Sequence, residues 1–200
     1  MWAWAGRTKS YPSDHETFFP RNQLRFAMLD STPQKTVTFE LDGKEVTVSE
    51  GTTIWDAAQA EGNLIPHLCH KPEPGYRSDG NCRACMVEIE GERVLAASCI
   101  RTVEAGMVVR SQSERAAKSR ALVVELLAAD QPETAHDASS HFSVMAKLNN
   151  IEDSRFPAKD PSHVPLLDDS HVAMRVNLDA CIHCNLCVRA CREVQVNDVI

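Results

Sequence analysis

Eight cysteines in two groups of four constrain this 200-residue chain more than any other feature. The first group is Cys69, Cys82, Cys85 and Cys99, the second is Cys181, Cys184, Cys187 and Cys191, and no cysteine lies between the two groups. Disulfide scaffolds are typical of small secreted chains, yet residues 1–10 lack the apolar run of a signal peptide and no twin-arginine pair follows. We therefore expect a cytoplasmic protein whose clustered thiols bind metal rather than each other.

The second group has the spacing C-x2-C-x2-C-x3-C. Three thiols at two-residue gaps can each reach a different iron of one cubane, whereas zinc sites usually divide their ligands into two separated pairs. The spacing predicts a 4Fe-4S cluster on Cys181, Cys184 and Cys187, with Cys191 turned toward a second 4Fe-4S cluster. The further cysteines of that second cluster do not occur before Ile200, so we expect a longer chain or a partner that supplies them.

The first group has the order of a plant-type 2Fe-2S site, but its first gap is twelve residues rather than four. The longer loop contains Gly75 and Gly80, which allow tight turns that aim N–H groups at sulfur. A structural zinc site is the alternative, although only one C-x2-C pair is present. A Rieske centre is disfavoured because His67 and His70 do not provide its Cys-x-His and Cys-x2-His pairs.

Strand and helix signals surround the first group and favour a small β-grasp domain over residues 36–111. An Asp42-Gly43 hairpin turn joins the first two predicted strands, and a helix follows. The predicted elements are strands Thr36–Leu41, Lys44–Ser49, Cys85–Glu90, Arg93–Ala97 and Met107–Arg110, and helix Ile54–Ala60, capped by Thr52 or Thr53. The fold class is therefore α+β, with a 2Fe-2S ferredoxin-like domain.

Residues 112–176 read as a helical connector followed by an extended linker. A capping box from Ser111 to Glu114 opens a predicted helix from Glu114 to Ala128, and a shorter helix is expected from Ser139 to Leu148. Pro157, Pro161 and Pro165 then impose an extended connection. Residues 177–200 would begin a bacterial-type 4Fe-4S ferredoxin domain, and residues 1–35, without periodicity, form either a mobile tail or an arm laid on a partner.

Composition excludes several other classes of protein. There are 28 acidic residues against 21 basic ones, a formal charge of −7, so no surface for nucleic acid is expected. The longest apolar runs span only a few residues, which predicts no membrane span. The chain has no G-x-G-x-x-G or Walker motif, so a flavin or NAD site must lie elsewhere, and we expect no catalytic residue in this segment.

Three motifs carry a resemblance that extends from about Thr36 to Ile200: Ile65–Cys69, Cys82–Glu88, and Ser154–Pro157 ahead of Cys181. With them the chain resembles the N-terminal electron-transfer region of NAD-dependent molybdenum or tungsten formate dehydrogenase catalytic subunits. The same region occurs in the large iron-sulfur subunit of NADH dehydrogenase and in the small diaphorase subunit of NAD-reducing hydrogenases. The resemblance implies a bis-pterin molybdenum or tungsten centre outside this segment, and a partner subunit that binds FMN and NAD.

One departure favours formate dehydrogenase within this superfamily. The other two subunits normally carry a His-x3-Cys-x2-Cys-x5-Cys cluster site after the long helix, but residues 134–142 contain His136 and His141 without a thiol. We therefore expect electrons from formate to pass through the 4Fe-4S cluster and the 2Fe-2S cluster to the partner. The alternatives are a diaphorase subunit of a hydrogenase or NADH dehydrogenase and, in another class, a zinc-stabilised interaction module.

Overall fold

The computed structural model describes residues 35–132 and 137–197. The expected N-terminal tail or arm, apart from Lys35, and the expected contribution of His136 lie outside the described residues. In chain order the strands are β1 Thr36–Leu41, β2 Lys44–Ser49, β3 Met86–Ile89, β4 Ala96–Ala97, β5 Val108–Arg110, β6 Asp168–His171 and β7 Met174–Val176. The helices are α1 Ile54–Ala60, α2 Glu114–Ala129, α3 His141–Leu148 and α4 Leu186–Arg189, with a 3-10 turn at Pro161–His163 and a π-helical turn at Ala190–Val194.

A five-stranded mixed sheet in the order β2-β1-β5-β3-β4 forms the body of the first cysteine region. Strands β1 and β2 form the predicted hairpin with the predicted bounds, and Asp42 (φ 49°) and Gly43 (φ 85°) adopt the left-handed backbone of its turn. Strand β5 lies between β1, to which it is parallel, and β3, to which it is antiparallel. The fold is therefore a mixed α and β arrangement, as the sequence predicts.

The hydrophobic core lies between this sheet and α1. Alternate side chains of β1 face it, with Phe39 and Leu41 buried, and the central strand β5 contributes the fully buried Val109. From α1, Ile54 and Trp55 pack into the same cluster. Helix α1 has the predicted bounds because the Thr53 side chain caps it by accepting a hydrogen bond from the Asp56 N–H.

The start of α2 differs from the predicted capping box. Ser113, not Ser111, caps the helix and accepts a hydrogen bond from the Ala116 N–H. Ser111 is fully buried instead, and its N–H and hydroxyl both donate to the Asp42 carboxylate, each at 2.6 Å. Ser111 therefore binds the β1–β2 turn instead of capping α2 as the local sequence predicts.

The connector is more structured than its prolines predict. Helix α3 begins at His141, two residues after the predicted start, with Ser140 as its cap. Ser154 and Arg155 bind back to α2, since the Arg155 N–H and guanidinium both contact the Glu125 carboxylate. The antiparallel hairpin β6–β7, which the sequence analysis does not predict, follows the 3-10 turn.

None of the helices within these described ranges could span a lipid bilayer.

Candidate iron-sulfur site

The fold brings the first cysteine group together from three separate places. Cys85 precedes β3 and Cys99 follows β4, and the register that pairs Met86 with Ala97 places these two cysteines at the same end of the ladder. Ser98 fixes this end, because both its N–H (3.2 Å) and its hydroxyl (2.8 Å) donate to the Cys85 carbonyl. The loop after α1 then returns Cys69 and Cys82 to the same point.

The sulfurs of the first group contact one another in the order Cys82, Cys69, Cys99, Cys85. Hydrogen bonds from Cys82 and Cys99 lower the pKa of Cys69 to about 2, and a hydrogen bond from Cys99 lowers the pKa of Cys85 to about 7. The contact with Cys69 raises the pKa of Cys82, and contacts with Cys69 and Cys85 raise the pKa of Cys99. The four sulfurs therefore lie close enough to share ligands, and thiolates gathered this closely require bound cations to balance their charge.

Backbone geometry around Cys82 suits an inorganic sulfur-containing group. The N–H groups of Cys69 and Ala84 each point at the Cys82 sulfur at 3.5 Å, and such donors stabilise negative charge on cluster sulfur. Arg83, between Cys82 and Ala84, adopts a left-handed backbone (φ 59°), which turns the Ala84 N–H back toward the Cys82 sulfur. Cys69, Cys85 and Cys99 are almost fully buried, so the site excludes water.

The first group supplies the number of thiols that a 2Fe-2S cluster binds. A structural zinc ion needs four ligands on one centre, whereas a 2Fe-2S cluster takes its four thiolates in pairs, two on each iron. All eight cysteines lie in the described part of the chain and are free thiols, so no disulfide joins any of them there.

An aromatic cluster covers the loop beside Cys69. The Trp55 ring meets the rings of His67 (4.8 Å) and His70 (4.4 Å) edge to face, and its Nε1–H donates to the Ile65 carbonyl. Burial lowers the pKa of His67 to about 4 and also lowers the pKa of His70. Both rings are therefore neutral near pH 7, and together with Trp55 they cover the loop beside Cys69.

The second cysteine group lies close to the surface. Cys181 and Cys184 are half-buried, Cys187 is exposed, and only Cys191 is buried, its thiol donating to the Asn197 side-chain oxygen at 2.7 Å. Left-handed backbone at His183 (φ 52°) and Asn185 (φ 60°) turns the chain twice between Cys181 and Cys187. No contact in the described part of the chain tests the 4Fe-4S assignments of this run, so they stay predictions.

Two buried arginines were missed by the sequence analysis, and both contact backbone next to the first group. The Arg120 guanidinium donates to the carbonyls of Met86 and Ser111 and so fastens α2 to β3 beside Cys85. Arg189, inside the second run, donates to the carbonyls of Cys69 and Arg77. The carbonyls that these two arginines bind lie up to 120 residues away in the sequence, so no local pattern predicts the contacts.

Comparison with known proteins supports the assignment of the first group. Residues 34–114 match the family described as the 2Fe-2S iron-sulfur cluster binding domain, a range that contains all four of its cysteines. Residues 34–114 are therefore a 2Fe-2S iron-sulfur cluster binding domain. The four thiols gathered beside β3 and β4 therefore lie inside a 2Fe-2S domain.

Proteins with similar sequences are oxidoreductase subunits. The chain is 33% identical over 171 residues to the NADP-reducing hydrogenase subunit HndD of Solidesulfovibrio fructosivorans, a match covering 82% of this chain and 29% of that protein. It is 28% identical over 186 residues to the mitochondrial 78 kDa subunit of NADH-ubiquinone oxidoreductase from Candida albicans, covering 87% of this chain and 24% of that protein. The chain thus spans about a quarter of the length of these relatives.

The same relationship is found among solved structures. A structure of NAD+-reducing NiFe-hydrogenase in the H2-reduced state matches with a TM-score of 0.71 and 31% sequence identity. The match covers 81% of this chain and 68% of that chain, so it extends well beyond the 2Fe-2S domain.

Proposed function

We propose that the chain is the electron-transfer portion of an NAD-linked formate dehydrogenase. Cys69, Cys82, Cys85 and Cys99 hold its 2Fe-2S cluster, Cys181, Cys184 and Cys187 hold a 4Fe-4S cluster, and Cys191 binds a second 4Fe-4S cluster. The observation that carries the proposal is the buried group of four mutually contacting thiols in a matched 2Fe-2S domain, with the second cysteine run packed directly against it.

The residues of the chain hold and tune the electron carriers rather than transform a substrate. A bound iron-sulfur cluster supplies one-electron chemistry, because iron changes valence without breaking a bond. The N–H groups of Cys69 and Ala84 lie where they stabilise added negative charge on the Cys82 sulfur. The packed rings of Trp55, His67 and His70 keep water from the Cys69 side.

Formate as the electron source is supported by the sequence of the connector. The related NADH dehydrogenase and hydrogenase subunits carry a further cluster site there, built from one histidine and three cysteines. No cysteine occurs between Cys99 and Cys181, so that site has no thiol ligands in this chain. The proposal includes a bis-pterin molybdenum or tungsten centre outside this segment, a partner subunit with flavin and NAD, and a location in the cytoplasm.

A diaphorase subunit of a hydrogenase or NADH dehydrogenase is the second candidate. It is supported by the relatives, among them the hydrogenase subunit HndD at 33% identity, and by the hydrogenase structure with a TM-score of 0.71. In this candidate the chain carries electrons in the same way, but they exchange with hydrogen or with NADH instead of formate.

Anaerobic purification tests the electron-transfer function itself. We expect a brown protein with equal amounts of iron and acid-labile sulfide, and two EPR signals that relax differently at two temperatures, one for each cluster type. A colourless protein that contains zinc and no sulfide would contradict the proposal and support the zinc-stabilised interaction module.

The electron source is tested on the complete gene product purified with its natural partners. We expect NAD+ reduction with formate and none with hydrogen. Hydrogen-dependent reduction without formate activity would replace formate dehydrogenase by the diaphorase candidate and leave the electron-transfer function standing.

A further inference from the structure

A single buried arginine joins the two cysteine groups. The side chain of Arg189 is 4% exposed, although the residue lies in the run of the exposed Cys187. One terminal nitrogen donates to the backbone carbonyl of Cys69 and the other to that of Arg77. A residue of the second run therefore makes a direct hydrogen bond to a cysteine of the first group.

Alternating charges extend this contact across the interface. The Arg189 Nε lies 3.2 Å from one Asp79 oxygen, and an Arg77 terminal nitrogen lies 3.1 Å from the other. Arg77 also pairs with Glu193, on the π-helical turn after α4, at 3.0 Å. The loop thus contributes Arg77 and Asp79 to this interface. The second run and the turn after it contribute Arg189 and Glu193.

Apolar contacts accompany these polar ones. A Cβ built on Gly75 of the loop would lie at ordinary contact distance, 3.5 Å, from a Val194 methyl group. Ile182 packs at the edge of a small cluster with Leu68 and Ala84. Such apolar contacts are non-directional, so the hydrogen bonds of Arg189 supply the geometric specificity of the docking.

We propose, on the basis of the function proposed above, that Arg189 is a positioning residue that fixes the second cysteine run against the first group and raises the reduction potential of the two-iron site. Its planar guanidinium reaches two carbonyls and a carboxylate at once, which a lysine ammonium cannot do with the same geometry.

Electrostatics gives the direction of the effect. Reduction of the two-iron site adds one negative charge, and a cation in a low-dielectric environment favours the more negative state. Arg189 supplies such a charge on the carbonyl of Cys69, while the neighbouring Asp79 carboxylate opposes it. Removing the Arg189 charge should therefore lower the reduction potential, and removing the Asp79 charge should raise it.

The test compares Arg189→Gln with Asp79→Asn in the complete chain, by redox titration of the two-iron EPR signal. We expect a more negative midpoint potential for Arg189→Gln and a more positive one for Asp79→Asn. The matched control is Arg175→Gln, which removes an exposed arginine of β7 and should leave the potential unchanged. A loosened loop alone would shift both variants in the same direction, so shifts of equal sign, or none, would overturn the proposal.

Docking is tested by hydrogen exchange, which needs no activity. The amides of residues 186–194 should exchange about tenfold faster in Arg189→Gln than in Arg175→Gln, the effect of losing about 1.4 kcal/mol of hydrogen bonding. Equal exchange in the two variants would overturn the positioning role.

A charge-conserving variant completes the test. If Arg189→Gln does not retain the two-iron spectrum, Arg189→Lys, which keeps the charge, and Asp79→Asn decide the question. The proposal is supported if Arg189→Lys has a potential close to that of the unaltered chain and the potential of Asp79→Asn is shifted to a more positive value. It is overturned if the potential of Asp79→Asn is unchanged. Failure of the proposed function is distinct, because the unaltered chain would then lack the two-iron signal.

Discussion

The two cysteine groups reach their positions by different physical means. The first draws thiols from a loop, from the start of β3 and from the turn after β4, and three of its four cysteines are almost fully buried. The second lies on consecutive turns within eleven residues, and only Cys191 is buried. The first site therefore exists only once the sheet has formed, whereas the second depends on local backbone turns and on docking through Arg189.

Each group draws its stability from a different source. The ladder between β3 and β4, with Ser98 bound to the Cys85 carbonyl, positions half of the first group. The second run begins on irregular backbone over residues 181–185 and continues on α4 and the π-helical turn. It meets the 2Fe-2S domain through Arg189, Glu193 and apolar contacts such as that of Ile182. Unfolding of the sheet should therefore also release the second run, whereas loss of the docking contacts of the second run should leave the sheet folded.

The largest expected effect is the loss of one cluster signal when a cysteine of one group is replaced. Cys85→Ser should abolish the two-iron EPR signal, because a serine oxygen replaces a buried thiolate of the first group. The four-iron signal should remain, since Cys85 belongs to no other site. EPR at two temperatures on the anaerobically purified variant measures both signals.

Cys187→Ser is the matched control for this comparison. It should weaken the four-iron signal, by the contribution of the cluster that Cys187 holds, and leave the two-iron signal unchanged. If both variants lost the same signal, the assignment of the two cysteine groups to different clusters would be wrong.

A smaller effect compares a buried valine of the five-stranded sheet with an exposed valine of the β6–β7 hairpin. Val109 of the central strand β5 is fully buried, so Val109→Ala should lower the free energy of unfolding by about 2–3 kcal/mol. Val172, at the turn of the β6–β7 hairpin, is fully exposed, and Val172→Ala should change that free energy by less than about 0.5 kcal/mol. Urea titration of both variants gives the two values, and equal losses would show that the hairpin is covered in solution.

Sequence reasoning predicted the local elements well. The Asp42-Gly43 turn determines the β1–β2 hairpin, and the Thr53 cap determines the start of α1, so both agree with the structure at their bounds. In both cases the signal lies within a few residues of the feature that it predicts. The spacing of the cysteines predicts the ligands of the clusters, and those ligand roles stay a prediction.

Features set by distant residues were not predictable from the sequence. Ser111 leaves the expected cap because Asp42, 69 residues earlier, binds it. The strand expected from Arg93 shortens to Ala96–Ala97, since β3 pairs only with those two residues. Arg189 contacts the carbonyl of Cys69, 120 residues away, and no periodicity or motif encodes such a contact.

The smallest effect concerns the loop that closes the first group. Gly80 has a left-handed backbone (φ 63°), and a Cβ there would lie 2.7 Å from the Ile100 Cδ1, next to Cys99. Ile100 is half-exposed and can rotate partly away, so Gly80→Ala should cost about 1–2 kcal/mol, from backbone strain and residual crowding together. Urea titration measures this cost, and the two-iron absorbance measures whether the loop still closes.

Gly62→Ala isolates the strain from the crowding. Gly62 also has a left-handed backbone (φ 74°), but no atom lies within 4 Å of a Cβ built there, so this variant carries the strain alone, about 1 kcal/mol. Only Gly80→Ala should also weaken the two-iron absorbance, and Ile100→Ala added to it should restore that absorbance, because the crowded methyl group is then gone. If Gly62→Ala weakened the absorbance as much as Gly80→Ala does, the closure of the loop onto Cys99 would not depend on the contact between Gly80 and Ile100. The first group would then depend less on tertiary packing than its burial indicates.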